Sequence, residues 1–309
     1  MSEGDIHMTQ QKCFVMAGFF GGLEFDIEDR HSQIEFVLPR NIPELKYPLV
    51  RTGTLVYELF KAKLPENAIL SCGGLTEFVA AVIYSIARRS VIYTPGVSEK
   101  YFRNKFLAPI FFIVRKGWHK GAIFTCSIEF KNAFNGIGFY SNFPTHLKNA
   151  QKLELPKQRN YDIALVGPVD ENKRFVEFVK NLNDECERYN TTVSILHIGR
   201  GQLGSLPRVN VKQLGYIDIQ NEVMRGIASC RLLCISSSYE GSPRVFWEAT
   251  CSETPVIASS CGNMRFMASV PIADNLVQLS EIAIRLRSMG DGERRHMAKM
   301  QLHELLNWK

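Results

Sequence analysis

At 309 residues, with 45% hydrophobic and 22% charged residues, the chain is long enough for two ordinary domains and too apolar to remain unfolded, which excludes a disordered or low-complexity protein. Its eight cysteines contain no CxxC pair and no framework spacing. Several sit in apolar runs, such as Cys72 in AILSCGG and Cys234 in RLLCISS, so buried free thiols in a reducing compartment are expected rather than a disulfide scaffold. The net charge of +6 is modest, so its distribution matters more than its total.

Residues 1–11 are polar and the apolar stretch after them is short, so no leader peptide is expected. Residues 12–17 (KCFVMA) read as a first strand, followed by the glycine-rich turn Gly18-Phe19-Phe20-Gly21-Gly22. The acidic stretch 24–29 (EFDIED) reads as a surface loop and not as a metal site. Residues 34–38 are a second strand, 54–63 a helix, 68–72 a strand, and 75–88 a helix with apolar residues three and four apart. Residues 90–94 (SVIYT) form a buried strand stopped by Pro95-Gly96. Strands alternating with helices imply a parallel α/β sheet.

From Arg88 to Lys120, eight Lys and Arg face a single acid, Glu99, and alternate with Tyr101, Phe102, Phe106, Phe111, Phe112 and Trp118. Such a mixture fits an anionic membrane surface or a nucleic acid, and equally a core helix with a solvated basic edge. The longest apolar run, residues 106–114, contains Pro109 and falls far short of the ~20 residues of a spanning helix. A cytoplasmic protein is expected, peripheral at the inner face of the membrane if at all, with no nucleic acid as partner.

Residues 148–160 (KNAQKLELPKQRN) are polar and contain Pro156, which reads as a linker. A second series follows, with strands at 161–166, 192–199, 211–216, 232–236 and 255–259 and helices at 173–189, 220–228, 243–251, 276–289 and 292–306. Domains are therefore expected at 1–152 and 153–309, with the final helix a candidate to pack back on the N-terminal domain. Two such units leave a cleft between them, where ligands meet strand C-termini.

Residues 232–260 (LLCISSSYEGSPRVFWEATCSETPVIASS) are the most informative. A strand enters a serine-rich turn, then Glu240-Gly241, then Ser242-Pro243, which reads as an N-cap and first helical residue. The free N–H groups of such a helix start make a phosphate cradle. Since proline has no N–H, Arg244 and Val245 supply the donors. Glu240 lies ahead of the helix and Glu248 inside it. Taken singly, one reads as a turn cap and the other as an exposed helix residue.

Taken together, EGSPRVFWEAT followed by TPVIAS resembles the E-x7-E signature of retaining GT-B glycosyltransferases of the GT4 family, with Glu240 and Glu248 at the two glutamate positions. The resemblance implies an α/β fold of two Rossmann-like domains facing a cleft. It also implies a nucleotide-sugar donor, a glycan or lipid-linked acceptor, and no metal or other cofactor. In IALVGPVDENKR, Gly167 and Lys173 match a family segment whose arginine and lysine hold the donor diphosphate. Pro168 stands at the arginine position, so Lys173 acts alone or with Arg174 or Arg244. LHIGRG, with Gly199, is similar to the second strand of the donor domain. QLGYIDIQNEVM is similar to the base-binding segment, with the backbone at Tyr216 and Ile217 beside the nucleobase. The loop carrying Gly21 and Gly22 would approach a donor phosphate. The histidine that many members place after the strand matching SVIYT has no counterpart; His119 is the nearest. The implied roles are Glu240 on sugar hydroxyls, Lys173 on the diphosphate, and Glu248 on the ribose. Gly241, Ser242, Arg244 and Val245 would line the donor. A sugar-nucleotide epimerase and a non-catalytic GT-B-like subunit are the alternatives.

Overall fold

The computed structural model describes residues 13–16, 34–36, 48–72, 75–94, 104–139, 154–156, 158–241 and 243–307. The chain divides into two compact units, Met1–Thr145 and His146–Lys309.

The first unit runs β1 (Cys13–Met16), β2 (Ile34–Phe36), α1 (Pro48–Lys61), β3 (Ala68–Cys72), α2 (Leu75–Ala87), β4 (Ser90–Thr94), α3 (Ala108–Lys116), β5 (Gly121–Thr125), α4 (Ile128–Ala133) and β6 (Gly138–Phe139). The strands form one parallel sheet in the order β2-β1-β3-β4-β5-β6. β3 is buried along its whole length, the pattern of a strand covered on both faces. Leu55 and Leu59 of α1, Phe78 and Val82 of α2, and Phe111 and Val114 of α3 supply its core, each pair at helical spacing. α1 begins at Pro48, six residues before the expected start at 54. Proline is favoured in a first helical turn, where its missing N–H has no intrahelical role. The sequence reading left β5, α4 and β6 unassigned. α4 is short and is nucleated by Ser127, whose Oγ accepts from the Phe130 N–H at 3.2 Å.

The second unit runs β7 (Tyr161–Val166), α5 (Phe175–Arg188), β8 (Val193–Ile198), β9 (Val209–Gly215), α6 (Gln220–Ala228), β10 (Cys230–Ile235), α7 (Arg244–Cys251), β11 (Val256–Ser259), a 3-10 turn (Gly262–Phe266), β12 (Ile272–Ala273), α8 (Leu276–Arg287) and α9 (Asp291–Leu306). The strand order is β12-β11-β10-β7-β8-β9, again all parallel. This is the doubly wound arrangement, and its order reverses between the neighbours β7 and β10. The two strands lead to helices on opposite faces of the sheet, and such a switch point is where doubly wound domains receive ligands.

Phe175, Phe178 and Leu182 of α5 join Leu279 and Ile282 of α8 in the core of this unit. α9 is fastened to the same unit. The buried Gln301 amide takes the Val256 N–H and donates to the Val256 carbonyl, both at 2.8 Å. Glu304 accepts from the N–H groups of Ala268 at 2.7 Å and Ser269 at 2.8 Å. The end of the expected linker is also tied in. The Arg159 guanidinium donates to the carbonyls of Cys230 and Glu253 and to Thr254 Oγ1, at 2.6 to 2.9 Å. Six of the seven cysteines with described side chains are buried and all are free. Burial pushes the Cys230 thiol up to about 12 and Cys251 and Cys261 to about 11, which makes them poor nucleophiles. Among the described residues, no helix is long and apolar enough to cross a membrane.

Candidate active site at the strand switch point

The loop after β7 and the loop after β10 are laced together, as their place on either side of the switch point requires. Asn172 Oδ1 accepts from the Tyr239 N–H at 3.1 Å and from the Ser238 hydroxyl at 2.9 Å, while its Nδ2 donates to the Tyr239 carbonyl at 3.1 Å. The Ser238 N–H reaches the Asn172 carbonyl at 2.7 Å. Arg174 donates to the Ser236 and Ser237 carbonyls at 2.9 and 3.2 Å, and Ser236 Oγ donates back to the Lys173 carbonyl at 2.6 Å. An amide side chain that both donates and accepts copies a backbone edge, so Asn172 pairs two loops that have no sheet between them.

The consequence is a contact between two residues 67 positions apart. Lys173 Nζ ion-pairs with Glu240 Oε1, and the same oxygen accepts from Ser237 Oγ at 2.7 Å. The two side chains are only 19% and 14% exposed. Gly262 lies directly under this carboxylate's backbone: a methyl at Gly262, whose φ is +49°, would overlap the Glu240 carbonyl. Gly241 is held from the same side, its carbonyl accepting from the Asn263 N–H at 3.1 Å.

The helix start differs by one residue from the expectation. Pro243 is the N-cap, with φ −69° and ψ 122°, and α7 begins at Arg244. Proline's fixed φ suits either position, and its extended ψ places it outside the helix. Arg244 and Val245 are therefore the first two helical residues, where backbone N–H groups have no intrahelical acceptor. The Phe246 N–H is turned back to the Pro243 carbonyl at 3.1 Å. Glu248 is not the exposed helix residue that its sequence context allows. It is buried, and Gln220 at the start of α6 donates to its Oε1 at 3.1 Å. Burial raises its carboxyl above the usual range, while the Arg244 charge and the Gln220 hydrogen bond pull the other way.

Gly167 ends β7, and its carbonyl accepts from His197 Nε2 at 3.0 Å. His197 is fully buried against Phe175, with 5.7 Å between ring centroids. Gly199 ends β8 with φ +155°, and a methyl there would overlap the Gly167 carbonyl. Gly199 thus lets the tips of β7 and β8 close up. Tyr216, just past β9, is 64% exposed, and the Arg200 guanidinium lies over its ring at 4.7 Å. Ile217 beside it is half-buried.

The structure thus brings Lys173 and Glu240 together, buries Glu248, and sets Arg244 and Val245 at a helix start. Arg174, offered as a partner for Lys173, holds the Ser236 and Ser237 carbonyls through Nε and Nη2. Gly21, Gly22 and Ser242 lie outside the described residues, as do residues 24–29 and Pro95-Gly96. Sequence reasoning missed Asn172, Ser237 and Gln220. Asn172 stands next to Lys173 in a polar run, and a turn asparagine able to pair with backbone was the available signal. Among the described residues, no three His, Cys, Asp or Glu side chains group together.

Residues 160–283 match the family model described as "Glycosyl transferases group 1". The matched residues lie within the second unit. The α,α-trehalose 6-phosphate synthase of Burkholderia multivorans superposes with a TM-score of 0.65 at 14% identity, over 84% of this chain and 72% of that one. The N-terminal domain of Candida albicans trehalose-6-phosphate phosphatase gives 0.65 at 11%, over 99% and 95%. A trehalose-6-phosphate synthase structure obtained in work on glycosyl transfer with retention gives 0.60 at 13%, over 93% and 80%. These likenesses establish the GT-B fold, with two Rossmann-like units. No curated protein matches the chain in sequence.

Proposed function

We propose that this chain transfers a sugar from a nucleoside diphosphate donor to an acceptor hydroxyl with retention of configuration, as a GT4-type enzyme with its E-x7-E motif at Glu240 and Glu248. The observation that carries this reading is the Lys173–Glu240 contact at the β7/β10 switch point. It sets a cation for a diphosphate beside a carboxylate for sugar hydroxyls, where a doubly wound domain receives its ligand. Lys173 and the Arg244 and Val245 N–H groups neutralise the leaving diphosphate, which favours metal-independent transfer. Gln220 occupies one oxygen of Glu248, leaving the other for ribose hydroxyls. Gly167 and Gly199, at the tips of β7 and β8, line the donor phosphates, and the backbone at Tyr216 and Ile217 borders the base. The cation-rich first unit supports an acceptor on a lipid-linked or surface glycan, modified at the cytoplasmic side.

A thermal-shift screen of nucleoside diphosphate sugars followed by NMR of the product's anomeric centre tests the reading. A stabilising donor and a product of unchanged configuration are expected; an inverted product sinks it. The engagement of Arg174 with backbone carbonyls and the presence of Pro168 favour one second reading, a nucleotide-binding subunit without turnover. Donor binding without product from any acceptor would establish that instead. Conversion of the donor in the absence of acceptor would mark an epimerase.

A further inference from the structure

α3 and its flanking turns carry a surface to which the donor reading of the second unit assigns no role. Phe111 and Val114 are buried in the first unit, Phe111 stacked on Phe134 at 5.5 Å. The neighbouring aromatics turn outward: Phe106 is 89%, Phe112 45% and Trp118 61% exposed. Phe112 and Trp118 meet edge to face at 5.2 Å, so they form one apolar patch rather than two isolated rings. The Lys120 N–H bonds the Ser85 carbonyl and its Nζ bonds the Ala87 carbonyl at 3.3 Å. The end of α2, with exposed Ile86, Arg88 and Arg89, is therefore joined to the Trp118 turn. Lys105, Arg115, Lys116 and Lys120 are exposed as well, and no acid occurs in residues 78–94 or 104–128.

We infer that this face docks the protein on an anionic lipid bilayer. Exposed aromatics suit the interfacial zone, where an apolar ring meets hydrated headgroups, and the cations around them complement acidic headgroups. A single-stranded nucleic acid needs open ring faces for its bases. Here Lys116 lies over the Phe112 ring at 5.8 Å and Trp118 meets it edge to face. A second copy of the chain would set the same cations against one another. The bilayer is the occupant that matches both the apolar patch and the excess of cations around it. Docking there is independent of the donor chemistry in the second unit.

The test is co-sedimentation of the full chain with phosphatidylcholine vesicles and with equal mixtures of phosphatidylcholine and phosphatidylglycerol. Binding is expected to the acidic vesicles alone and to fall as salt rises. The triple variant Arg89→Glu, Lys105→Glu, Lys116→Glu avoids Arg115, which lies over Phe134, and Lys120, which bonds Ala87. Each lost cation lowers partitioning roughly fivefold and each added carboxylate repels acidic headgroups, so the triple variant is expected to bind at least on the order of a hundredfold more weakly. Phe106→Ser with Trp118→Ser is expected to weaken binding with all charges intact. Both variants should keep the wild-type melting temperature and the wild-type affinity for nucleoside diphosphate. Equal recovery on neutral and acidic vesicles, unchanged binding by the folded variants, or preferential retention of an RNA oligonucleotide over acidic vesicles overturns the inference.

Discussion

If Lys173 is the cation that receives the donor diphosphate, Glu240 competes with that diphosphate for it. Glu240→Gln removes the competing charge while keeping the side chain's size and its ability to accept from Ser237. Two opposite unit charges about 4 Å apart attract by about 4 kcal/mol at the effective dielectric of a protein surface. The side chains are 19% and 14% exposed, so solvent screening is limited, but desolvation offsets much of the attraction. A net worth of about 1–2 kcal/mol is reasonable. Isothermal titration with nucleoside diphosphates should therefore show binding some five- to thirtyfold tighter in Glu240→Gln. The apo protein should melt earlier, because Lys173 is left without its partner. Transfer should move the opposite way. Charged hydrogen bonds to sugar hydroxyls are worth about 1.5–3 kcal/mol, so kcat should drop by roughly ten- to a hundredfold. Tighter nucleotide with slower transfer is a signature that a purely structural ion pair does not produce. A well-folded variant that binds nucleoside diphosphate no better, or less well, refutes the competition.

The other predictions are simpler. Glu248→Ala should weaken nucleoside diphosphate binding by about 1–3 kcal/mol in calorimetry if the carboxylate holds ribose hydroxyls, and unchanged affinity would return it to a helix residue without a ligand. Its folded carboxyl is raised by burial, so its contribution to stability is fully present below the ordinary carboxylate range and is lost as pH rises through the raised value. Glu248→Gln should accordingly lift the melting temperature at neutral pH relative to acid pH, and a pH-independent difference would contradict this. Glu304 behaves in reverse. Its hydrogen bonds from Ser269 and Ala268 outweigh desolvation and hold its carboxyl low, so its contribution is present above the ordinary carboxylate value and fades as pH falls through the lowered one. Glu304→Gln should flatten the acid limb of a melting-temperature profile, and an unchanged limb would show that α9 is anchored otherwise. Transfer should survive exhaustive chelation, and turnover lost to EDTA and restored by a divalent ion would falsify the metal-independent donor site.

Much of the fold was legible because buried strands and amphipathic helices are local patterns. The strands β3, β4 and β7 and the helix α6 were read at their observed bounds, each an apolar run or a 3.6-residue stripe between clear breakers. β5 and α4 were not read. GAIFT opens on glycine after a basic run, and a six-residue helix is too short to show a period. Of the site, the sequence alone determined the chemistry available: a helix start after Glu240-Gly241, a second glutamate eight residues on, and a lysine after the first strand of the second unit. It could not determine which of these groups meet. Strand order decides that, and strand order is fixed by how apolar faces pack across the whole sheet rather than by any local segment. Placing β10 beside β7 joins Lys173 to Glu240 across 67 positions and ties Arg174 to the Ser236 and Ser237 carbonyls. Burial of Glu248 under α6 is likewise tertiary, because a helix residue's exposure depends on which face its neighbours cover.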